Sequence, residues 1–196
     1  MTDFIKKLEK EFDSLIVHSK KHIWKKYYDV DEDGNIITLY LDEIDLKDLD
    51  ILLPIADNLV CLGLAKCNIG TLKSLKSFIN LEVLDLSLNR LHGSTLEHLS
   101  HMKKLKKLDL SGTNLKDTSC IGGLDNLEML FIGGSDSLYE INGLEGLKSL
   151  FHLDASNSCI NSIESICANE NIRILNLEGT DKYLLKINNT FLSEII

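Results

Sequence analysis

The feature that most constrains this chain is a repeated spelling. An eleven-residue frame, L-x-x-L-x-L-x-x-N-x-L, recurs as LVCLGLAKCNI (59–69), LEVLDLSLNRL (81–91), LKKLDLSGTNL (105–115) and LFHLDASNSCI (150–160). Degraded copies begin at Ile36 (IITLYLDEIDL), Leu127 (LEMLFIGGSDS) and Ile172 (IRILNLEGTDK). The starts at 36, 59, 81, 105, 127, 150 and 172 lie 22 to 24 residues apart. A fixed period of that length marks a solenoid, because one unit cannot bury its own apolar side and neighbours must stack.

Each part of the frame has a physical reading. Positions four and six, such as Leu84 and Leu86, alternate with polar neighbours as a half-buried strand requires. Position nine sits where the chain turns off the strand, and a small polar side chain there can bond backbone groups the turn leaves open. That column reads Ile44, Cys67, Asn89, Thr113, Ser135, Ser158 and Thr180. With a single asparagine, hydroxyls must stand in for a ladder of amides, and parts of the column should be looser. In NIGTLKSLKSFINL the apolar residues Ile69, Leu72, Leu75, Phe78 and Leu81 fall every third position, a period that suits short 3-10 turns. Ile141, Leu144, Leu147 and Leu150 repeat it, as do Ile160, Ile163 and Ile166; GSTLEHLSHMKKL is long enough for a helical turn or two.

On these residues the chain, from 36 to about 182, resembles the leucine-rich-repeat family. Its three-step pattern is similar to the 22-residue class of internalins and of a protein phosphatase 1 regulatory subunit. The resemblance implies an α/β solenoid, a right-handed β-α superhelix. About seven parallel strands would line its concave face, short 3-10 or helical turns its convex face, and a helix would cap the N-terminal end. The expected divisions are an N-terminal helical cap and turn (1–35), the array (36–182), and a segment (183–196) that is a C-terminal cap or the start of a truncated continuation.

The stretch before the first strand has two readings. Asp29-x-Asp31-x-Asp33-Gly34 opens like an EF-hand loop, which would make the protein calcium-binding. Position twelve is Tyr40 rather than glutamate, and a strand frame follows instead of a helix, so an Asp/Gly turn leading into the array is the favoured reading. Ahead of it, Phe4, Leu8, Phe12, Leu15, Ile16, Ile23, Trp24 and Tyr27 fall near one face of a helix expected over 3–27. A cap over the open solenoid end suits it. The rival is a cationic helix for a membrane surface or a calmodulin-like partner, against which Glu9, Glu11 and Asp13 dilute the positive face. At the other end, Tyr183, Leu184, Leu185, Ile187 and Phe191 could cover the last repeat.

Charge and composition exclude several classes. Thirty acidic against twenty-one basic residues give a net charge of −9, so a counterion-releasing nucleic-acid face is not expected. No apolar run approaches the roughly eighteen residues of a membrane span, and charges occupy the place of a signal-peptide core. Five cysteines without a CxxC pair suggest reduced thiols and a cytoplasmic protein, in which the Asn188–Thr190 sequon carries no meaning.

No catalytic constellation emerges, and no cofactor or metal is expected. His18 and His22, or His98 and His101, have metal-pair spacing without a third ligand. Three repeats separate Cys61 from His152, too far for a dyad. GGSDS (133–137) fails as a nucleophile elbow, but it displaces the apolar eleventh position by one residue, to Leu138. Function should therefore sit on the outward strand positions. The third column reads Thr38, Cys61, Val83, Lys107, Met129, His152 and Ile174; the fifth reads Tyr40, Gly63, Asp85, Asp109, Phe131, Asp154 and Asn176. Met129, Phe131, His152 and Ile174, flanked by Phe151 and Arg173, form a candidate interface centre, extended by Tyr40, Asp85, Lys107 and Asp109. Asp154, like Asp85 and Asp109, has an equally good reading as an ordinary solvated strand residue. The expected function is a non-enzymatic protein-protein interaction module that regulates the partner it binds. The alternative is the recognition part of a longer effector or sensor.

Overall fold

In the computed structural model, residues 2–19, 25–91 and 96–180 are described. The chain opens with helix α1 (Thr2–Phe12) and continues into strands β1 (Val17–His18), β2 (Lys26–Val30) and β3 (Ile36–Leu41). Six three-residue strands follow: β4 (Cys61–Gly63), β5 (Val83–Asp85), β6 (Lys107–Asp109), β7 (Met129–Phe131), β8 (His152–Asp154) and β9 (Ile174–Asn176). All nine lie in one sheet in sequence order. From β3 to β9 the pairing is parallel and in one register, so equivalent residues of successive repeats stand side by side.

The inward columns build the core. Leu39, Leu62, Leu84, Leu108, Leu130 and Leu153 are all 0% exposed, and the sixth column and Leu46, Ile69, Leu91, Leu115 and Ile160 of the eleventh are buried with them. Stacking is what stabilises this arrangement, since each fully buried leucine contributes roughly 1.5–3 kcal/mol only when a neighbour covers it. Opposite the sheet, the three-residue period folds as 3-10 turns at Asp50–Ile55, Lys73–Ser77, Glu97–His101, Ser119–Ile121 and Leu144–Gly146. The Ile160–Ile166 copy departs from this and forms one α-helical turn, α2 (Glu164–Ala168). The longer repeat has a 3-10 turn at Glu97–His101, and residues 92–95, where a helical turn was expected, lie outside the described residues.

The turn off each strand explains the eighth position of the frame. Glu43, Lys66, Leu88, Gly112, Gly134, Asn157 and Gly179 all adopt left-handed backbone, with φ from 50 to 75°. In six of them the amide points along the solenoid axis and donates to the seventh carbonyl of the next repeat, from Glu43 to Ala65 (2.9 Å) through Asn157 to Glu178 (2.6 Å). The sheet's hydrogen-bond ladder thus runs on past the strands. Glycine fits three of these positions without the cost an L side chain meets there.

One expectation is corrected. The helix expected over 3–27 ends at Phe12, with Asp13 in left-handed backbone; His18 is on strand β1, and Tyr27 is on β2, paired antiparallel with β3. Long-range pairing overrides the helical periodicity there: Tyr27 stands opposite Tyr40 in the hairpin, with the rings stacked at 4.8 Å. Ile23, Trp24 and His22 lie outside the described residues, as does the proposed C-terminal cover at Tyr183–Phe191 and the Asn188 sequon.

Asp31 shapes the hairpin turn. Its carboxylate accepts from the Asn35 backbone amide at 2.8 Å and from the Asn35 side chain at 3.0 Å, and Gly34 takes φ 83°. The Asp29 carboxylate accepts from the Val30 amide and faces His18 at 3.5 Å.

Candidate functional site

The parallel register carries the third and fifth columns onto the face of the sheet turned away from the core. Lys107, Met129, His152 and Ile174 are successive neighbours on β6 to β9, and Asp85, Asp109, Phe131, Asp154 and Asn176 run beside them. The expected centre is therefore brought together. Phe131 meets His152 edge-on, with centroids 5.1 Å apart, and the Lys107 ammonium stands 5.2 Å from the Phe131 centroid. An ammonium at that distance is attracted by the ring face. Ile174 is 48% exposed and Phe151 36%, so the C-terminal side of the face carries apolar surface that the fold does not use.

Other expected members stand apart. Arg173 turns back onto its own loop, donating to the Glu170 and Ile172 carbonyls. Tyr40 lies on β3, four strands from Phe131, or roughly 19 Å at about 4.8 Å per strand. Its ring covers Gly63 so closely that a Cβ there would meet Tyr40 Cδ1 at 2.0 Å. Burial, reinforced by nearby acidic groups, pushes the Tyr40 phenol up to about 12. Tyr40 and Tyr27 close the N-terminal end of the face rather than extend its centre.

The fifth-column carboxylates serve the turns. Asp85 Oδ1 accepts from the Ser87 amide (2.8 Å), Asp109 Oδ1 from Ser111 (2.9 Å) and Asp154 Oδ1 from Ser156 (3.0 Å). Asn176 does the same for Glu178 at 3.0 Å. This is the two-residue-on bond that short polar side chains make in turns. Beyond that shared bond their surroundings differ. Asp154 also accepts from the Asn176 side chain at 3.0 Å. Burial works against its ionised form, but the Ser156 and Asn176 bonds and the nearby His152 together hold it below the usual carboxylate range. Asp109 goes the other way: burial pushes it up, Ser111 opposes, and the charge of Asp85 adds to the rise.

Asp42, at the seventh position of the first repeat, escaped the sequence reading. Its Oδ1 accepts from the Ala65 amide at 3.2 Å. Burial raises it to about 6, the Ala65 bond opposes, and the charge of Asp85 adds to the rise. Only knowledge of which end of the face is covered, by Tyr27 and Tyr40, would have flagged it.

Among the described residues no group of three or more His, Cys, Asp or Glu could hold a metal ion. A hollow of about 560 Å³ lies at the loop edge, lined in part by Leu96, Glu97, Asn114, Lys116 and Cys120. Burial pushes the Cys120 thiol up to about 11, away from nucleophilic character. No described helix is long and apolar enough to cross a membrane.

Comparison with known proteins agrees with this geometry. The leucine-rich-repeat family model matches residues 79–136. Forty-seven residues are 49% identical to receptor like protein 21 of Arabidopsis thaliana, 24% of this chain and 5% of that protein's length. The pollen receptor kinase 3 crystal structure shares the fold with a TM-score of 0.60 at 18% identity, covering 90% of this chain and 94% of its own. The plant peptide hormone receptor RGFR1, in complex with RGF2, gives 0.58 at 20% identity, with 80% and 28% covered. An internalin of Listeria monocytogenes gives 0.56 at 16% identity, with 79% and 53% covered. The described repeats form a leucine-rich-repeat solenoid, similar in fold to internalins.

Proposed function

We propose that this leucine-rich-repeat solenoid is a non-enzymatic module that holds a protein partner against the open face of its sheet, centred on Phe131. The observation that carries the reading is the apolar surface on β7 to β9. Met129, Phe131, His152 and Ile174 project from a rigid, in-register sheet without a covering element among the described residues. Aromatic and methionine side chains ringed by polar groups are the usual centre of an interface. Regulation of that partner by occupancy is part of the proposal. So is a cytoplasmic setting, supported by Cys61, Cys67, Cys120, Cys159 and Cys167 all standing as free thiols.

A second reading is that the chain is the recognition region of a longer receptor or effector. It draws support from the receptor-like matches, which this chain spans only in small part for the curated relative. The mass of the endogenous protein separates the two. For the binding face itself, the test is capture of a partner by wild-type chain and by a Phe131→Ala, Met129→Ala double variant. Loss of capture with unchanged melting is expected; undiminished capture refutes the placement.

A further inference from the structure

Within that reading, the acidic half of the same face selects the partner's chemistry. Asp85 and Asp109 are register neighbours on β5 and β6. One oxygen of each is held by a turn amide, and like charges side by side on a sheet are a cost to the fold. The ion pairs among the described residues, Lys25–Glu43, Lys66–Glu43, Lys106–Glu82 and His18–Asp29, include neither. Lys107, the cation on the same face, stands 5.2 Å from the Phe131 centroid and attracts Asp109 without closing an ion pair with it. Asp154, two strands on, is by contrast hydrogen-bonded to Asn176. The two half-buried carboxylates thus lie next to an apolar cluster while lacking an ion-pair partner of their own.

We infer that the occupant of this face is an extended protein segment carrying a cationic side chain for Asp85 and Asp109 and an apolar side chain for Phe131 and Met129, about two residues apart. The spacing follows from the sheet. From midway between β5 and β6 to β7, which carries both Met129 and Phe131, is one and a half strand separations, roughly 7 Å at about 4.8 Å each. An extended chain covers that distance in about two residues, and side chains two apart point to the same side of it. The inference rests on the proposed binding face. A phosphate-bearing partner is disfavoured, because the carboxylates would repel it.

The test uses the whole chain and labelled decapeptide pools in which arginine is fixed and leucine stands two residues on, the remaining positions being a glycine, serine and alanine mixture. Control pools replace the arginine by glutamate, or move the leucine adjacent to it. Fluorescence anisotropy should show the arginine pool binding at least tenfold more tightly than either control. Binding should weaken with salt, as exposed charge pairs do. An Asp85→Asn, Asp109→Asn double variant keeps an oxygen for each turn amide while removing the charge. It should melt like wild type and bind the arginine pool about tenfold more weakly. Equal binding of the glutamate pool, unchanged affinity of the double variant, or no binding of the arginine pool at millimolar peptide overturns the inference. A captured partner lost by the Phe131→Ala, Met129→Ala variant but kept by the aspartate variant removes this inference alone. A partner kept by both variants removes the binding face as well.

Discussion

The two ends of the sheet share one register and differ in how completely their side chains are satisfied. Near the N-terminal end, Asn89 makes five hydrogen bonds and ties its own repeat to the one before it. Its oxygen accepts from the Cys67 and Ile69 amides, and its amide donates to the Leu64, Leu86 and Ser87 carbonyls. Thr113 and Thr180 reach one carbonyl each, inside their own repeat. Ser135, fully buried in the same column, has a hydroxyl with no hydrogen-bond partner. The difference teaches that the stacked leucines hold the array, while the polar column sets how firmly each turn is pinned. On the outer face the contrast is of another kind: Tyr27 and Tyr40 cover the early strands, and Phe131 and Ile174 leave the late ones open.

The strongest blow to that comparison is Leu108→Asp, which puts a carboxylate into the one layer common to both ends. The site is 0% exposed, and an unpaired buried charge costs well above about 4 kcal/mol. The whole array should unfold by circular dichroism; a wild-type melt would mean that the leucine stack is not shared. Next in size is the ninth column. Asn89→Ala strands two buried amides and should cost about 3 kcal/mol in urea unfolding, whereas Ser135→Ala should change stability by less than about 0.5 kcal/mol. Equal effects would erase the distinction between pinned and loose turns.

The smallest effect is a pH contrast. Asp42 has its folded pKa raised to about 6 by burial, above the unfolded value of about 4, so its contribution favours folding below about pH 4 and is lost as pH rises through 6. Asp154 is depressed, so its contribution is present above the unfolded pKa and lost as pH falls through the folded one. Asp42→Asn should therefore raise the melting temperature at pH 7 by a few degrees, and Asp154→Asn should lower it. Shifts of the same sign would show that the two ends treat carboxylates alike.

Much of this was legible in the spelling of the chain. Residues that alternate every second position, such as Leu84 and Leu86, and those that recur every third, such as Leu72, Leu75 and Phe78, gave strands and 3-10 turns because each period matches only one backbone geometry. The displaced apolar position was legible too, since Leu138 is buried. The N-terminal hairpin was not. Tyr27 and Tyr28 lie on both a helical and a strand pattern, and only the partner strand at Ile36–Leu41 decides between them. A second set of polar ties also escaped the frame. Asn80 and Asn126 each donate to a carbonyl 23 residues earlier, at Asp57 and Lys103, and Asn169 reaches Leu144 and Leu147. Asn80 and Asn126 each stand immediately before a frame start, as do Asn35, Asn58 and Asn171, so this column was periodic in the sequence but lay one residue outside the eleven letters of the frame. On the candidate face, the frame predicted which side chains share it. It could not foretell that Asp85, Asp109 and Asp154 each fasten a turn, because that depends on where the amide two residues on is pointing.

The extra residue at Ser137 has a wider meaning. The coil that contains it rejoins its neighbours at once: the Tyr139 amide donates to the Lys116 carbonyl, and Asp117 bridges Glu140. A misspelling of one letter is corrected within a few residues on the margin, and β7 and β8 never register it. Lineages of such a molecule are therefore free to lengthen or shorten along this margin while the working surface stays constant, so novelty should accumulate at the rim and conservatism on the sheet.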